Sequence, residues 1–552
     1  MMNSLKRCMI GLVSAVSTVG LAGQPTAPVT PNIVVILADD LGYGSLNCYG
    51  APTNFIRTPN FDRLAREGVR FTDAHTPASV CSPTRYALLT GRYGWRTDLK
   101  WGVVGMFDPL QIETNRLTLA SLLKQKDYST AAIGKWHLGF GTTNKLPAKF
   151  TTALRPGPND LGFDYFFGIP HNHNDPTGVY LENDGVQGLR SAAMKPYGMT
   201  FYGAPFMGID APQREEEQVM RVLTDKAIDW MKRQDSAKPF FLYFAPVAVH
   251  HPCTPSARTK GTSGCGPYGD WIHELDLSVG RLLDTLDQNG QAKNTLVILT
   301  SDNGGVVTPL AYEPEAAAMA AGFRACGALR GGKHSIFEGG TRVPYIVRWP
   351  GKIKPGRVCD ETINLVDTLA TVAALVKEPL PPPREGAEDS FNVLPALLDE
   401  RISDSSHVHN NLVVGQASPR RSPPGTKAGE PVSDLSPSPD PQAPRHLRVG
   451  EARPTQLAND NPRGKPLRPH LITHNTAGVY AIRKGPWKWI EGKPAQPGQE
   501  KVKKDDYHEQ LYNLERDPSE TTNVLDQFPE VAAELRQLLD RSRNAAYTRD
   551  VE

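Results

Sequence analysis

The sequence predicts an α/β fold: a large, mostly parallel sheet sandwiched by helices, followed by a smaller C-terminal subdomain of antiparallel sheet plus helix. Three observations predict it. Residues 32–37 and 295–300 are continuous runs of β-branched and aliphatic residues, the pattern of strands buried on both faces. Runs at 129–133, 240–246 and 343–349 alternate with stretches of helical apolar spacing at 118–125, 215–233 and 271–286. Beyond about residue 412 the texture turns to Pro, Ser, Gly, Asp and Arg before short strand-like runs return. The 552 residues suffice for one large domain and a smaller unit.

Taken in order, the chain opens with Lys6 and Arg7, an apolar stretch over 8–21, and the small residues Gly20-Leu21-Ala22. This reads as an export signal over residues 1–22, too short for a comfortable membrane span. Cys8 stands at the start of the apolar stretch, which argues against a lipid-anchored cysteine. A periplasmic or extracellular location is expected if the source is bacterial. The main domain is expected over 30–405 and the C-terminal subdomain over 406–552.

The first strand runs into Asp39-Asp40. The string CSPTRYALLTGR, 81–92, reads as a turn feeding a helix: Pro83 suits the first turn, and Tyr86, Leu88 and Leu89 give a buried face. The run 129–133 leads into Gly134-Lys135-Trp136-His137-Leu138-Gly139, where an extended backbone would point Lys135 and His137 to one side. The run 240–246 precedes His250-His251-Pro252, and 295–300 precedes Ser301-Asp302-Asn303-Gly304-Gly305. A Gly-rich segment carries Lys333 and His334 ahead of 343–349. Residues 418–469 hold too few aliphatic side chains to offset their ordering entropy, so disorder is expected there, interrupting one element formed by 412–414 and 471–472. Two short strands, 478–483 and 487–490, join at Lys484-Gly485-Pro486, and 530–543 reads as an amphipathic terminal helix.

A net charge of +2 with 22% charged residues gives no support for nucleic-acid or general membrane-surface binding. No cysteine–histidine spacing suggests zinc. Cys253 and Cys265 bracket a short polar loop, where a disulfide is reasonable in an oxidising compartment.

The chemistry-bearing residues fall at strand ends. Asp39, Asp40, Asp302 and Asn303 follow buried strands, whose C-terminal ends share one sheet edge. Three carboxylates and an amide there would repel unless a cation joined them, and an all-oxygen set suits Ca²⁺ or Mg²⁺. Asp and Asn before Gly are also ordinary turn formers. Cys81, at a helix N-terminus with Arg85 one turn along, makes either an anion-handling site or a buried structural cysteine.

The full string resembles the signature of type I sulfatases, C-x-P-S/T-R followed by an apolar pair, T and G-R. Thr84 is a permitted variant of the commoner serine. The likeness extends to D-D after the first strand, S-D-N-G, G-K-W-H-L-G, H-x-P, and a tail at Gln510-Leu511-Tyr512-Asn513-Leu514 with Asp517 and Glu520. The resemblance implies that Cys81 is converted to formylglycine by a maturation enzyme. It implies that Asp39, Asp40, Asp302 and Asn303, with residue 81, hold calcium, magnesium being the lesser choice. It also implies that Arg85, Lys135 and Lys333 surround the sulfate, and that His137 serves the formylglycine hydroxyl. The resemblance further implies that His250 takes the active position of H-x-P and protonates the leaving oxygen, with His251 as the alternative assignment, and His334, next to Lys333, is a candidate to line the substrate site. The Pro-rich insertion is not a usual element of the family.

The implied reaction is hydrolysis of an organic sulfate monoester, expected on sulfated carbohydrate, by the hydrated aldehyde at position 81. A phosphodiester or phosphonate monoester hydrolase of the same superfamily and a non-catalytic sulfated-glycan binder are the alternatives. The loops 171–184 and 95–105 are candidates for substrate selection.

Overall fold

The computed structural model describes residues 30–199, 203, 205–235, 237–399, 466–492 and 508–549. The export signal and residues 412–414 lie outside them, as does the insertion up to residue 465.

A ten-stranded sheet forms the centre. Its strands are β1 (Asn32–Ala38), β2 (Val69–Phe71), β3 (Ser129–Lys135), β4 (Tyr165–Ile169), β5 (Leu181–Glu182), β6 (Gly185–Val186), β7 (Phe240–Ala245), β8 (Thr295–Ser301), β9 (Tyr345–Arg348) and β10 (Arg357–Cys359). Their order is β10-β2-β9-β8-β1-β7-β3-β4-β5-β6. The central neighbours β8, β1, β7, β3 and β4 are parallel, while β9 is antiparallel to both β8 and β2. Every residue of β1, β7 and β8 is buried, as expected for runs of unbroken apolar character covered on both faces.

Helices pack on the two faces: α1 (Pro59–Arg66), α2 (Cys81–Thr90), α3 (Leu119–Lys124), α4 (Val219–Lys232), α5 (Pro267–Gln288) and α6 (Pro314–Ala320). One core layer joins Val35, Leu37, Tyr86, Leu89, Leu122, Phe241 and Leu369. The other joins Val34, Ile36, Leu223, Met231, Trp271, Leu275 and Leu283. The residues of β1 alternate between these layers, as successive side chains of a strand must.

The C-terminal part is a four-stranded antiparallel sheet in sequential order: β11 (Leu471–His474), β12 (Tyr480–Lys484), β13 (Trp487–Ile490) and β14 (Gln510–Asn513). Helix α7 (Pro529–Asn544) covers it through Val531, Leu535, Leu538 and Leu539. Charge fastens this sheet to the main body. Lys488 of β13 bonds Glu338 at 3.0 Å and Glu520 at 2.8 Å, and Arg483 of β12 bonds Asp73 at 2.7 Å. Arg342 ties Asp73 and Glu338 together from the other side.

The helix after Cys81 buries Tyr86, Leu88 and Leu89 together with its other seven residues. Three sequence expectations need correction. The expected Cys253–Cys265 bridge is not formed. Both thiols are free, Cys265 Sγ lying 3.9 Å from the Phe55 carbonyl and Cys253 packing against the second core layer. The last residues assigned to the insertion are structured, since Arg468 is buried and pairs with Asp367 at 2.5 Å. The backbone is not extended through His137, whose φ is +57°.

Candidate active site

Register builds the site. Ala38 of β1 pairs with Ser301 of β8, so Asp39-Asp40 and Asp302-Asn303 leave the sheet side by side. The two turns lock together. The Asp302 N–H donates to the Ala38 carbonyl at 3.1 Å, and the Asp40 N–H donates to Asp302 Oδ1 at 3.1 Å. Asp40 sits in the left-handed region at φ +61°. Two strands over, Gly134 lets β3 approach β7. Its φ is +124°, and a Cβ there would lie 1.9 Å from the Ala245 carbonyl oxygen, so only glycine fits. Lys135, the last residue of β3, thereby reaches the same edge.

Helix α2 points its N-terminus at this edge. Cys81 Sγ lies 3.7 Å from Asp39 Oδ1 and 3.6 Å from Lys135 Nζ. Lys135 Nζ donates to Asp39 Oδ2 at 2.6 Å. Arg85 donates from Nε and Nη2 to Asp302 Oδ2 at 3.0 and 2.7 Å, and Nη2 lies 3.4 Å from Asp39. Lys333 Nζ donates to Asp40 Oδ2 at 2.8 Å. Each carboxylate thus meets a side-chain cation, which answers part of the repulsion expected from the sequence. Asp39, Asp40, Arg85, Asp302 and Asn303 are fully buried.

The electrostatics follow from burial and these neighbours. Burial, with Asp302 nearby, pushes the Cys81 thiol up to about 12. Burial also raises Asp302, to about 6, against the pull of Arg85. For Asp40, burial acts upward but Lys333 and Lys135 outweigh it, and its carboxyl titrates below the ordinary range. Burial acts to lower Lys333, yet Asp40 more than offsets it and holds the ammonium charged. Burial pushes His137 well below its usual value, His171 and Lys135 adding to the effect.

The donor chemistry fits a hard cation. Oxygens of Asp39, Asp40 and Asp302 and the sulfur of Cys81 lie within 4.8 Å of one another. Asn303 donates its Nδ2 to Asp40 Oδ1 at 2.8 Å and leaves its buried Oδ1 without a hydrogen-bond partner. A cation is the partner that an orphaned amide oxygen among carboxylates lacks. This buried acidic cluster can hold a metal ion.

The histidines surround the cluster. His250 Nε2 lies 3.9 Å from Asp40 Oδ2, and its Nδ1 bonds the His251 carbonyl at 2.5 Å. His251 turns instead to Glu315, Nδ1 to Oε1 at 3.0 Å. The two rings therefore face different ways, His250 toward the acidic cluster and His251 toward Glu315. His137 leaves both ring nitrogens without partners and packs on His171, centroids 4.1 Å apart. Ser82 of α2 donates to the His137 carbonyl at 3.0 Å, which fixes that loop to the helix carrying Cys81. His334 is exposed, with φ +71°, and its N–H donates to the Ser79 carbonyl.

Asp39, Asp40, Cys81, Arg85, Lys135, Asp302, Asn303, Lys333 and His250 thus form one contact network, with His137 alongside it. The sequence reading weighed His251 only as the alternative to His250, named His171 only as the start of a loop, and did not single out Glu315. The doubled histidine was visible, but nothing local ties it to Glu315, 64 residues away. An open cavity lined by Val307, Ala317, Met319, Arg324 and Gly331 contains none of the network's own residues.

A doubly covered α/β sheet with a buried, metal-competent acidic edge and a ring of fixed cations defines a hydrolase of anionic esters. The Sulfatase family model matches residues 31–378, and the chain belongs to the sulfatase family, type I, as a sulfuric ester hydrolase. It is 33% identical over 545 residues to an N-acetylgalactosamine-6-O-sulfatase of Bacteroides thetaiotaomicron, covering 92% of each chain. It is 37% identical over 378 residues to human arylsulfatase A, covering 67% of this chain and 68% of that one. A solved structure from work on glycosaminoglycan metabolism by Bacteroides thetaiotaomicron matches with a TM-score of 0.75 and 31% identity, covering 94% of this chain and all of that one. The phosphonate monoester hydrolase of Agrobacterium radiobacter, with a TM-score of 0.52 and 16% identity, shares the fold alone.

Proposed function

We propose that the protein removes sulfate from a sulfated carbohydrate, with a 6-sulfated N-acetylhexosamine of the galactosamine type as the first substrate to try. The observation that carries the catalytic reading is the convergence of Cys81, Lys135 and Lys333 on the carboxylates at the β1 and β8 ends. The near full-length likeness to an N-acetylgalactosamine-6-O-sulfatase supports the sugar.

Asp39, Asp40, Asp302 and Asn303 would hold Ca²⁺, which when bound supplies Lewis-acid polarisation and neutralises sulfate charge. Formylglycine made from Cys81 by a maturation enzyme would supply the aldehyde hydrate as nucleophile. Lys135 and Lys333, paired with Asp39 and Asp40, are the cations placed beside Cys81 to bind and orient the sulfate oxygens. Arg85 is spent on Asp302, so its part is to fix that carboxylate. His250 holds Nδ1–H on a carbonyl and keeps Nε2 for exchange with the leaving oxygen. Burial lowers its basicity, as do Lys333 and Lys135; a sulfate ester bound between those lysines offsets their effect. His137, with both nitrogens available beside His171, takes the proton of the second hydroxyl. His334 contributes from the exposed rim to substrate binding. Export, with residues 1–22 removed, belongs to the same reading, as does the division into a catalytic domain over 30–405 and a subdomain over 406–552.

The test is desulfation of N-acetylgalactosamine-6-sulfate, N-acetylglucosamine-6-sulfate, 4-nitrophenyl sulfate and an aryl phosphonate side by side. The proposal expects the first to have the highest kcat/KM. A preference for the phosphonate would favour the other hydrolase reading, and no turnover by matured protein would favour a glycan binder.

A further inference from the structure

Four observations surround the second histidine of the pair. Glu315, on α6, is fully buried, bonds His251 Nδ1 through Oε1 at 3.0 Å, and leaves Oε2 without a hydrogen-bond partner. The Glu313 carboxylate belongs to the same buried cluster, within 4.8 Å. The main-chain carbonyl of His251 accepts the hydrogen bond from His250 Nδ1, and the two rings lie 4.7 Å apart. Trp271 of α5 holds the next carbonyl back, donating Nε1 to the oxygen of His250 at 3.1 Å.

A buried carboxylate is costly unless it is paired, and here its partner is an imidazole on the loop that leaves β7. That pairing fixes the rotamer of His251 and, with it, the peptide whose carbonyl orients His250. We propose that Glu315 acts through His251 as a positioning residue, setting the ring of His250 so that Nε2 faces the leaving oxygen of the substrate. The inference rests on the sulfatase reading above, in which the proton leaves His250 Nε2 for the departing oxygen. That oxygen takes the electron pair of the breaking S–O bond, and a neutral imidazole remains.

The leaving group discriminates this role from a merely structural one. A sugar alkoxide needs the proton, whereas 4-nitrophenoxide leaves without it. Aligned general acid catalysis is worth about 10²–10⁴-fold, so Glu315→Gln should lower kcat on N-acetylgalactosamine-6-sulfate by about 10–100-fold with KM within about 2-fold. On 4-nitrophenyl sulfate the same variant should stay within about 3-fold of wild type. His251→Leu should behave like Glu315→Gln. His251→Gln, which keeps a donor for Glu315, should recover most of the loss on the sugar sulfate. His250→Ala is the reference and should show the same selectivity, more strongly. Equal losses on both substrates in Glu315→Gln, or no loss, with His250→Ala selective, would overturn the positioning role and leave the sulfatase reading intact. An unselective His250→Ala would overturn both. If Glu315→Gln does not fold, the two His251 variants decide, and a silent His251→Leu overturns the proposal.

Discussion

Arg85 is engaged at every nitrogen of its guanidinium, Nη1 donating to the Lys135 carbonyl at 3.2 Å. It lies wholly inside the protein and gives two hydrogen bonds to Asp302 while Asp39 stands 3.4 Å away. Removing one partner of a buried ion pair leaves the other uncompensated, at a cost of about 3–5 kcal/mol. Arg85→Met should therefore lower Tm strongly as well as abolish turnover, and equal melting of variant and wild type would contradict the pairing. On the proposed calcium site, calcium should raise the Tm of wild type, and Asp39→Ala should weaken binding in titration calorimetry and erase that rise, because a ligand that binds only the folded state stabilises it. Much at this scale was legible, because Asp39, Asp40, Asp302 and Asn303 follow directly on unbroken apolar runs and so must sit at strand ends. What was not legible depends on contacts distant in sequence. The partners of Arg85 and Lys333 lie 217 and 293 residues away, and the Glu315 partner of His251 lies on a seven-residue helix with no strong amphipathic pattern.

At the scale of elements, the C-terminal sheet is held on by buried charge as well as by apolar packing against Tyr93, Val366, Ile336 and Phe337. Lys488 is buried between Glu338 and Glu520, with Asp73, His75, Arg342 and Arg483 completing the group. Lys488→Met strands two carboxylates, and a destabilisation of about 3–5 kcal/mol is expected in denaturant melts. The same group predicts an acid transition. Burial acts to raise Glu338 and Asp73, but the surrounding Lys and Arg side chains outweigh it and depress both. A carboxyl depressed in the folded state contributes stability above its ordinary value near 4, and that contribution is lost as pH falls. Burial also lowers His75, so the unfolded state takes up that proton first and stability falls as pH drops through about 6.5. Glu520, raised by burial, acts in the opposite sense. Stability should therefore decline from about pH 6.5 downward and fall faster below about pH 4 in thermal melts. Flat melting between pH 7 and 3.5 would contradict this account of the docking. The strands of this unit at 480–484 and 487–490 were readable from their apolar runs and Gly-Pro turn. The short strands β2 and β10, of three residues each, were not, because their pairing in the main sheet and not local pattern makes them strands.

At the scale of the whole molecule, the catalytic edge and the C-terminal unit share their supports. Glu338 follows the Lys333 loop, and its main-chain N–H bonds Glu520 at 2.6 Å. The insertion carries no residue assigned to chemistry. Deleting 418–465 with a short Gly-Ser bridge should preserve turnover of a small aryl sulfate, since closure entropy varies slowly with loop length. The cut must stop before Pro466, because Arg468 pairs with Asp367 and packs inside. Loss of small-substrate turnover by a folded deletion would assign the insertion a catalytic part.

The central claim is that Cys81, at the meeting point of the acidic edge and the lysines, is the precursor of the nucleophile. The direct measurement is the mass of the peptide containing Cys81, from protein produced with and without a formylglycine-generating enzyme, alongside turnover of each sample. Activity should track the fraction of peptide that has lost the thiol sulfur and gained an aldehyde, and Cys81→Ala should be folded and inactive. Full activity in protein carrying only the unmodified thiol would contradict the account.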